Sequence, residues 1–518
     1  MKNKSLVLVV VLIIFLVLTS LFVFGAKKIL DPDSFYHIRH AWLYRTGGLF
    51  NSEFPWLQFS VIRLYAADIW YGFHVFLIPF TFFSDLTIGI KFSAVVFATL
   101  TLLLFYWVFK RHQIAYPLFW VLLLYFSATD FLFRMNMSRP QTLTLGLLVL
   151  LFSLLIKPGR IWATFMLSFL IAFIHLNFFW AALLIGFLVS IFTFIFEKKI
   201  DWRNLLAIPA GLIVGWFLRP NPIGALKILW VQLFELIAEK QKDLPLLFGE
   251  ELYPLNWAGI KFKLVPLLIL WISALLFFGW LLKRKKLVTA SNQTKIFIWC
   301  ALGLALIFFI LAFWLSQRAL DLTATFAVLF ISQLISWWSN YQKQKNKKLS
   351  GFLTAGLVIV FLIMIGRHTY TFNSYIKALY IPSTEEFKEV SLWLNQNSEP
   401  EEIVFHVSWD MFPMLFFWNQ KNYYINGMDP IFEYALSHEL YLKNVMMALS
   451  GLDFACGTLP CNRETGEPLH KVISEDFRAS YAVVEKDRSP RLNQNLQNDP
   501  GFLKVLETEG EVVYKVKK

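Results

Sequence analysis

The chain has 518 residues, of which 57% are hydrophobic and only 16% are charged, with a formal net charge of +13. A soluble domain is nearer half apolar and a quarter charged, so the composition excludes an ordinary soluble protein and predicts a polytopic membrane protein. The basic residues do not indicate a nucleic-acid partner. Clusters such as 283–286 and 343–348 lie between apolar runs, as they do in the loops of membrane proteins.

The first apolar run, residues 5–26, follows two lysines and is too long for a cleaved signal sequence, whose apolar core has roughly 7–15 residues. We interpret it as a retained membrane anchor. A spanning helix needs about 20 mostly apolar residues, and the pattern predicts about 11 such helices. The predicted spans are 5–26, 86–108, 114–127, 142–156, 161–174, 178–196, 205–218, 264–282, 295–315, 319–338 and 352–365.

Residues 68–83 are also apolar, but they include Asp68, His74 and Pro79. If they formed a span, every later loop would change sides. We therefore predict an amphipathic segment at the membrane interface.

The charges of the loops predict the orientation. With the N-terminus in the cytoplasm, every predicted cytoplasmic loop is basic, as the positive-inside rule requires. These loops are 110–113, 157–160, 197–203, 283–286 and 340–348. An odd number of spans then places everything after about Arg367 outside. We expect an integral protein of the cytoplasmic membrane, surrounded by membrane lipids and without an obligate protein partner.

The C-terminal part is polar and mixes helical and strand patterns. Ser383 and Glu386 form a capping-box signature that predicts a helix over 383–397. Alternating residues predict strands at 402–408 and 511–518. The expected fold class is a polytopic α-helical membrane protein with a C-terminal extracytoplasmic mixed α/β domain. Its domains are 1–379, with a first outer loop at about 27–85, and 380–518.

The three cysteines lie in different settings. Cys300 lies in an apolar run and is predicted to be a small core residue. Cys456 and Cys461 bracket a turn, and the sequence leaves both a disulfide and free thiols open.

Ionisable residues collect at the predicted outer surface, whereas charges in the middle of spans are almost absent, which argues against a pump or a proton-coupled carrier. The outer residues are Asp31, Asp33, His37, Arg39, Asp68, His74, Arg134, Arg139, Arg219, Glu250, Glu251, Arg318 and Asp321. Asp31 and Pro32 predict a helix start, after which Asp33, Tyr36, His37 and His40 share one face. A hydrated helix beside the membrane and a functional site are both consistent with this pattern. Asp321 is predicted to pair with Arg318 within one helix.

Guanidinium groups bind phosphate in a forked geometry, and lipid-linked phosphates are available at this surface. We therefore predict that four arginines in outer loops bind the phosphate of a lipid-linked donor. They are Arg134, Arg139, Arg219 and Arg318.

The stretch "DSFYHIR", residues 33–39, resembles the Asp-x-Tyr-Tyr-His-x-Arg signature of oligosaccharyltransferase catalytic subunits. These are membrane glycosyltransferases of the GT-C superfamily that take sugars from polyprenyl phosphate or pyrophosphate carriers. "SWDMFP", residues 408–413, lies where that family carries Trp-Trp-Asp-Tyr-Gly. The resemblance implies that Asp33 contacts a metal ion and the acceptor, and that Trp409 and Asp410 bind the acceptor.

The second outer loop departs from the family, because Asp130 stands there without the family's second acidic residue. A Mg²⁺ or Mn²⁺ ion would therefore need Glu250 or Glu251 as a further ligand. The metal requirement stays open.

The implied function is transfer of a sugar or oligosaccharide from a polyprenyl-linked donor to a protein, lipid or glycan acceptor on the outer face. Asp33 would act as general base or orient the acceptor, with His37 and Arg39 supplying hydrogen bonds and positive charge. The four arginines would stabilise the departing phosphate. The alternative is a non-catalytic flippase or transporter of lipid-linked glycans, which would need polar groups inside the helical bundle.

Overall fold

The computed structural model describes residues 2–240, 247–344, 351–378 and 381–517. The chain is mostly helical and ends in a mixed α/β region, so the predicted helical membrane protein with a C-terminal sheet is confirmed. The predicted boundary between residues 379 and 380 lies outside the described residues.

Two compact units are present, and each is built from three segments of the chain. The first unit comprises Met1–Leu30, Lys91–Leu218 and Gly249–Ile381. The second comprises Asp31–Ile90, Arg219–Phe248 and Pro382–Lys518.

The helices are numbered here in chain order. They are α1 Lys2–Gly25, α2 Asp33–Gly47, α3 Val61–Tyr65, α4 Tyr71–Leu77, α5 Leu86–Arg111, α6 Pro117–Tyr125, α7 Thr129–Met135, α8 Pro140–Ile156, α9 Ile161–Ile174, α10 Phe179–Glu197, α11 Trp202–Phe217, α12 Pro222–Trp230, α13 Leu236–Glu239, α14 Trp257–Lys263, α15 Val265–Lys283, α16 Asn292–Trp314, α17 Leu320–Gln344, α18 Gly351–Ala378, α19 Lys388–Asn397, α20 Phe412–Trp418, α21 Pro430–Tyr434, α22 His438–Leu449, α23 Leu469–Lys471 and α24 Pro490–Asn498.

Within the described residues, seven helices are long and apolar enough to cross a membrane: Ser5–Gly25, Leu86–Arg111, Leu176–Glu197, Val265–Lys283, Asn292–Trp314, Gln317–Gln344 and Thr354–Lys377. Two pairs of shorter helices, α6 with α7 and α11 with α12, raise the number to nine if each pair counts as one span. The other two predicted spans are α8 and α9, which have 17 and 14 residues. Every predicted span therefore contains a helix, although the span predicted at 114–127 is helical only over Pro117–Tyr125. The smaller count arises because α8 and α9 are shorter than the about 20 residues that cross a bilayer.

A sharp bend separates α6 from α7. The two helices meet at 98° across a break of at most four residues. Asp130 and Arg134 lie on α7, beyond this bend. Beyond the bend, the chain of the first unit therefore carries two charged residues instead of continuing an apolar span.

Two glycines allow α9 and α11 to pack closely. Gly211 and Gly215 are four residues apart on α11, so they share one face. A Cβ atom at either position would lie 2.3 Å from a backbone oxygen of α9, that of Phe165 or Phe169. Small residues at this spacing permit such close helix approach in membrane proteins.

The second unit contains a five-stranded sheet and a small hairpin. The strands are β1 Ile403–His406, β2 Tyr423–Tyr424, β3 Phe454–Ala455, β4 Glu467–Pro468, β5 Ala479–Glu485, β6 Phe502–Glu507 and β7 Glu511–Val516. The sheet order is β2-β1-β5-β7-β6, and β3 pairs with β4. Strands β2, β1 and β5 are parallel, whereas β7 is antiparallel to β5 and β6. The predicted strands at 402–408 and 511–518 are confirmed as β1 and β7.

A segment that follows α2 extends this sheet. The Tyr424 N–H donates to the Trp56 carbonyl oxygen at 2.7 Å, and the Phe59 N–H donates to the Ile425 carbonyl oxygen at 2.8 Å. Leu57 forms a parallel bridge with Tyr424. Residues from the predicted first outer loop therefore belong to the edge of the C-terminal sheet.

The helix predicted over 383–397 begins later than expected. The capping contacts form, because the Ser383 N–H donates to Glu386 Oε2 at 3.0 Å. However, Phe387 has a φ of +56°, and the helix begins only at Lys388. The prediction for 383–387 is wrong because a left-handed residue cannot continue a right-handed helix.

The cysteine alternatives resolve in favour of a disulfide. Cys456 and Cys461 are bonded, and Cys300 is buried with a free thiol.

Lys443 on α22 is buried, with only 4% of its side chain exposed, and forms ion pairs with three carboxylates. Its Nζ atom lies 3.1 Å from Glu439, 2.5 Å from Glu467 and 2.7 Å from Asp476.

Lys443→Met leaves partly buried carboxylates without their cation, and we expect the free energy of unfolding to fall by about 2 kcal/mol. Denaturant unfolding of the purified chain measures this loss. Lys486→Met removes a more exposed pair with Glu507 and should cost less than about 1 kcal/mol. Equal losses for the two variants would contradict a special role for Lys443.

Candidate functional site

In the first unit, three of the predicted phosphate-binding arginines converge on one carboxylate. Glu251 Oε1 lies 3.2 Å from Arg139 Nη1 and 2.9 Å from Arg318 Nε. Glu251 Oε2 lies 3.4 Å from Arg134 Nη2. We call Glu251 and these three arginines the Glu251 cluster.

Each member of the Glu251 cluster comes from a short turn or a helix end. Arg134 is in the last turn of α7, and Arg139 directly precedes α8. Glu251 and Arg318 lie in the single-turn 3₁₀ helices Glu250–Leu252 and Gln317–Ala319. Such positions bring residues that are distant in sequence to one place.

Further charged residues surround this cluster. Asp321 Oδ2 lies 3.1 Å from Arg134 Nη1, so Asp321 pairs across elements, and the predicted pairing with Arg318 is wrong. Lys263 Nζ lies 3.1 Å from Asp130 and 3.2 Å from Glu250. The three arginines and Lys263 are thus paired with four carboxylates. This pairing offsets the cost of burying the charges.

The electrostatics of Glu251 follow from its partners. Burial alone would raise the pKa of its carboxyl group, but the guanidinium groups of Arg318, Arg139 and Arg134 hold that pKa well below its usual value. Glu251 is therefore ionised at neutral pH. Arg318 is the most exposed arginine of the cluster, with 43% of its side chain accessible, against 8% for Arg134 and 12% for Arg139.

In the second unit, a buried network surrounds Asp68. Asp68 Oδ2 accepts hydrogen bonds from the Tyr44 hydroxyl at 2.9 Å and from His74 Nδ1 at 2.6 Å. His74 Nε2 lies 2.8 Å from His37 Nδ1. His40 Nε2 lies 4.0 Å from Asp68 Oδ2. We call His37, His40, Asp68 and His74 the His–Asp network.

The spacing of residues on α2 explains this network. Tyr36, His37, His40 and Tyr44 recur at three- and four-residue intervals and therefore lie on one side of the helix. His40 Nδ1 lies 2.9 Å from the Tyr36 hydroxyl. The other side of α2 carries Arg39, whose guanidinium carbon lies 5.0 Å from the ring centres of Trp42 and Phe417. The structure thus brings His37, Asp68 and His74 together, whereas the Arg39 guanidinium lies between aromatic rings.

Burial sets the charges of the network. It lowers the pKa of His40 to about 3, so that ring is neutral. Burial would raise the pKa of Asp68, but His74, His40 and the Trp70 N–H together hold it well below its usual value. A carboxylate beside a neutral imidazole is a set of groups that can bind a metal ion or hold a proton.

Among the residues that the structure describes, one group of His, Cys, Asp or Glu side chains has its ligand atoms close enough together to share a metal ion. It consists of His40, Asp68 and His74, whose ligand atoms all lie within 4.8 Å of one another. Asp33 is not a member, and its contact with a Mg²⁺ or Mn²⁺ ion stays a prediction.

The two other acidic residues predicted from the first outer loop, Asp31 and Asp33, lie at the start of α2. Asp31 precedes that helix and accepts a hydrogen bond from the Ser34 hydroxyl at 3.2 Å. Asp33 is the first residue of the helix and is partly buried.

Arg219 belongs to the second unit, whereas the other three arginines belong to the first. Its Nη1 donates to the backbone oxygens of Asp68 and Ile69 at 3.1 and 3.2 Å. Arg219 thereby holds the backbone next to the carboxylate of the His–Asp network. Its phosphate-binding role stays a prediction.

Trp409 and Asp410 follow strand β1. Asp410 Oδ2 lies 3.0 Å from Arg488 Nη2, and Trp409 Nε1 donates to the Leu247 carbonyl oxygen at 2.8 Å. Arg488 follows the parallel strand β5. The carboxyl ends of parallel strands are where α/β sheets commonly bind ligands, so an acceptor role for these two residues remains a prediction with a suitable location.

No protein-family model and no curated protein matches the sequence. Among solved structures, the chain is similar to "ArnT from Cupriavidus metallidurans bound to Undecaprenyl phosphate", at 12% identity over 99% of this chain and 98% of that one, with a TM-score of 0.49. The apo state of the same protein is similar at 11% identity, the same coverage and the same TM-score. At this identity and TM-score, the likeness assigns no activity to this chain.

The sequence did not identify several residues that complete these clusters. They are Lys263 and Gln317 beside the Glu251 cluster, and Tyr44 in the His–Asp network. Tyr44 could have been found, because it continues the helical spacing of His37 and His40. The partners of Lys263 could not, since no local spacing links them.

Glu433 is a buried carboxyl group in the second unit. Its Oε2 accepts hydrogen bonds from the side-chain amides of Asn426 at 2.5 Å and Asn444 at 3.1 Å. Burial raises the pKa of Glu433 from 4.5 to about 7. Its contribution to stability is therefore full below pH 4.5 and is lost as the pH rises through about 7.

Glu433→Gln keeps the shape and removes the charge. We expect it to raise the free energy of unfolding by about 3 kcal/mol at pH 8 and to change it little at pH 4.5. Unfolding curves at the two pH values measure the difference. The exposed Glu464→Gln serves as a control without a pH-dependent effect. A Glu433→Gln variant that is no more stable than the wild type at pH 8 would refute the raised pKa.

Proposed function

We propose that this chain is a membrane glycosyltransferase that moves a sugar or oligosaccharide from a polyprenyl phosphate or pyrophosphate carrier to an acceptor at the outer face of the membrane. The observation that carries the proposal is the Glu251 cluster. Carboxylate and phosphate oxygens bind guanidinium groups in the same forked geometry. Three arginines around one oxyanion therefore form a suitable place for a second, lipid-borne oxyanion.

Arg318 is the group through which a lipid phosphate first reaches the cluster, because its side chain is the most exposed of the three arginines. Glu251 holds the arginines in position before the donor binds. Its charge also keeps the cluster from binding anions indiscriminately, since the phosphate must compete with a carboxylate already in place.

The reaction is a displacement at the anomeric carbon. The acceptor's nucleophilic atom forms the new bond to that carbon and gives up its proton, in the role that the first-loop resemblance implies for Asp33, while the bond between the sugar and the carrier phosphate breaks. Negative charge collects on the departing phosphate, and the arginines stabilise it more strongly in the transition state than in the bound donor. His37, held by His74 and Asp68, orients the acceptor group through a hydrogen bond.

The ArnT structure in complex with undecaprenyl phosphate contains a carrier of the proposed class. The proposal itself rests on the Glu251 cluster and on the first-loop motif. The acceptor stays open between protein, lipid and glycan.

The purified protein should be incubated with a panel of polyprenyl-linked sugars and candidate acceptors, with and without Mg²⁺ or Mn²⁺. Mass spectrometry should then find free carrier phosphate and a glycosylated acceptor in equal amounts. A flippase or transporter would instead move the donor across the bilayer of proteoliposomes and leave it intact. Translocation without consumption of any donor would overturn the proposal.

A further inference from the structure

The proposed transfer reaction uses His37, but it does not require two imidazoles to face one carboxylate, as they do in the His–Asp network. His40 on α2 and His74 on α4 each direct one ring nitrogen toward the same atom, Asp68 Oδ2, at 4.0 and 2.6 Å. All three residues are buried, with 6%, 0% and 6% of their surface exposed for His40, His74 and Asp68. Burying two imidazoles and one carboxylate costs free energy unless their polar atoms form hydrogen bonds or bind a metal ion.

The other nitrogen of each ring is already engaged. His40 Nδ1 is hydrogen-bonded to the Tyr36 hydroxyl at 2.9 Å, and His74 Nε2 is hydrogen-bonded to His37 Nδ1 at 2.8 Å. Histidines that ligate metals are held in this way, with the second nitrogen fixed by a neighbouring group. The remaining nitrogens, His40 Nε2 and His74 Nδ1, are the ones that face Asp68.

Asp68 is oriented in the same manner. Its Oδ1 accepts a hydrogen bond from the Trp70 N–H at 2.8 Å, and Arg219 binds the backbone oxygens of Asp68 and Ile69. Oδ2 is therefore presented to both imidazoles. The Tyr44 hydroxyl, 2.9 Å from Oδ2, stands next to the same oxygen.

The distances are compatible with a shared metal ion after small shifts. At 4.0 Å, His40 Nε2 is too far from Asp68 Oδ2 for a hydrogen bond. Ligand atoms about 2.1 Å from one tetrahedral Zn²⁺ lie about 3.4 Å apart, so the His40–Asp68 distance would have to shorten by less than about 1 Å. The His74–Asp68 contact would have to lengthen by less than about 1 Å to reach a tetrahedral spacing.

The ligand types select the metal. Mg²⁺ and Ca²⁺ prefer oxygen ligands, whereas two imidazoles with one carboxylate are typical of Zn²⁺. We propose that His40, Asp68 and His74 bind one Zn²⁺ ion that ties α2 to α4 and to the segment preceding α4. Three protein ligands leave a fourth coordination position for water or for the Tyr44 hydroxyl. The ion would also fix His37 through its hydrogen bond to His74.

The test uses the full chain, purified without a polyhistidine tag, and needs no activity assay. Mass spectrometry of the elements should find about one zinc per chain. Protein stripped with a chelator should regain this zinc on titration with Zn²⁺ and should unfold at a higher temperature once reloaded. Mg²⁺ at the same concentration should not produce the shift.

Asp68→Asn and His74→Gln should each reduce the zinc content at least tenfold. The control is His470→Gln, because His470 lies elsewhere in the second unit, with Nε2 2.9 Å from the Lys517 carbonyl oxygen. Its zinc content should equal that of the wild type. If the ligand variants fail to fold, the zinc titration and thermal unfolding of the stripped wild-type protein still test the proposal. Wild-type protein that holds no zinc and is not stabilised by added Zn²⁺ overturns the proposal, as does an Asp68→Asn variant with full zinc content. Either failure would leave the transfer reaction untouched.

Discussion

Arg318→Gln should lower kcat/KM for sugar transfer from a polyprenyl-linked donor by about 10²-fold, the effect of removing one group that stabilises charge in a transition state. The structural cost should be small, because 43% of the Arg318 side chain is exposed and Glu251 keeps its contacts with Arg134 and Arg139. Initial rates at several donor concentrations measure the change. The thermal unfolding temperature, measured in parallel, verifies that the variant is folded.

The matched control is Arg463→Gln. Arg463 is also an exposed arginine in an ion pair, with Asp453 at 3.0 Å, but it lies in the C-terminal part of the second unit. Its loss should leave the transfer rate unchanged. If both variants were as active as the wild type, the donor phosphate would not be bound by the Glu251 cluster.

Asp33→Asn should reduce kcat by about 10³-fold with little change in donor KM, because a general base contributes 10²–10⁴-fold and acts on the acceptor. The asparagine keeps the size of the side chain at the start of α2. It cannot accept the acceptor's proton. Single-turnover kinetics with preformed enzyme–donor complex would isolate the chemical step.

Glu53→Gln provides the comparison, since Glu53 is an exposed acid that follows α2 in the same part of the chain. It should transfer sugar at the wild-type rate. An Asp33→Asn variant that retains more than a tenth of wild-type kcat would remove Asp33 from the proton transfer.

The membrane-spanning helices were predictable from the sequence because apolar length alone defines them. Each of the eleven predicted segments contains a helix, and the segment 68–83, which was predicted to lie at the membrane interface, contains α4 and the 3₁₀ helix Ile78–Phe82. The bend between α6 and α7 was not predictable, since Thr129–Met135 has no residue that requires it. The bent arrangement is instead accompanied by contacts of Asp130 and Arg134 with Lys263 and Asp321, which are remote in sequence.

The candidate site was predictable residue by residue, but its pairings were not. Arg134, Arg139, Arg318 and Glu251 were each identified as polar residues at one predicted surface. Their convergence depends on three separate segments, the α7–α8 connection and two 3₁₀ helices, and no spacing in the sequence connects those segments. In the His–Asp network, by contrast, the i, i+3 and i+4 pattern on α2 supplied both His37 and His40. Helical periodicity is local, and it therefore predicts the shared face of one helix, not the neighbour on which that face packs.

An experimental structure of the protein with a bound polyprenyl phosphate would test the central claim most directly. We predict that the phosphate lies within hydrogen-bonding distance of the guanidinium groups of Arg318 and Arg139, beside or in place of the Glu251 carboxylate. A phosphate bound away from all three arginines of the Glu251 cluster would contradict the account.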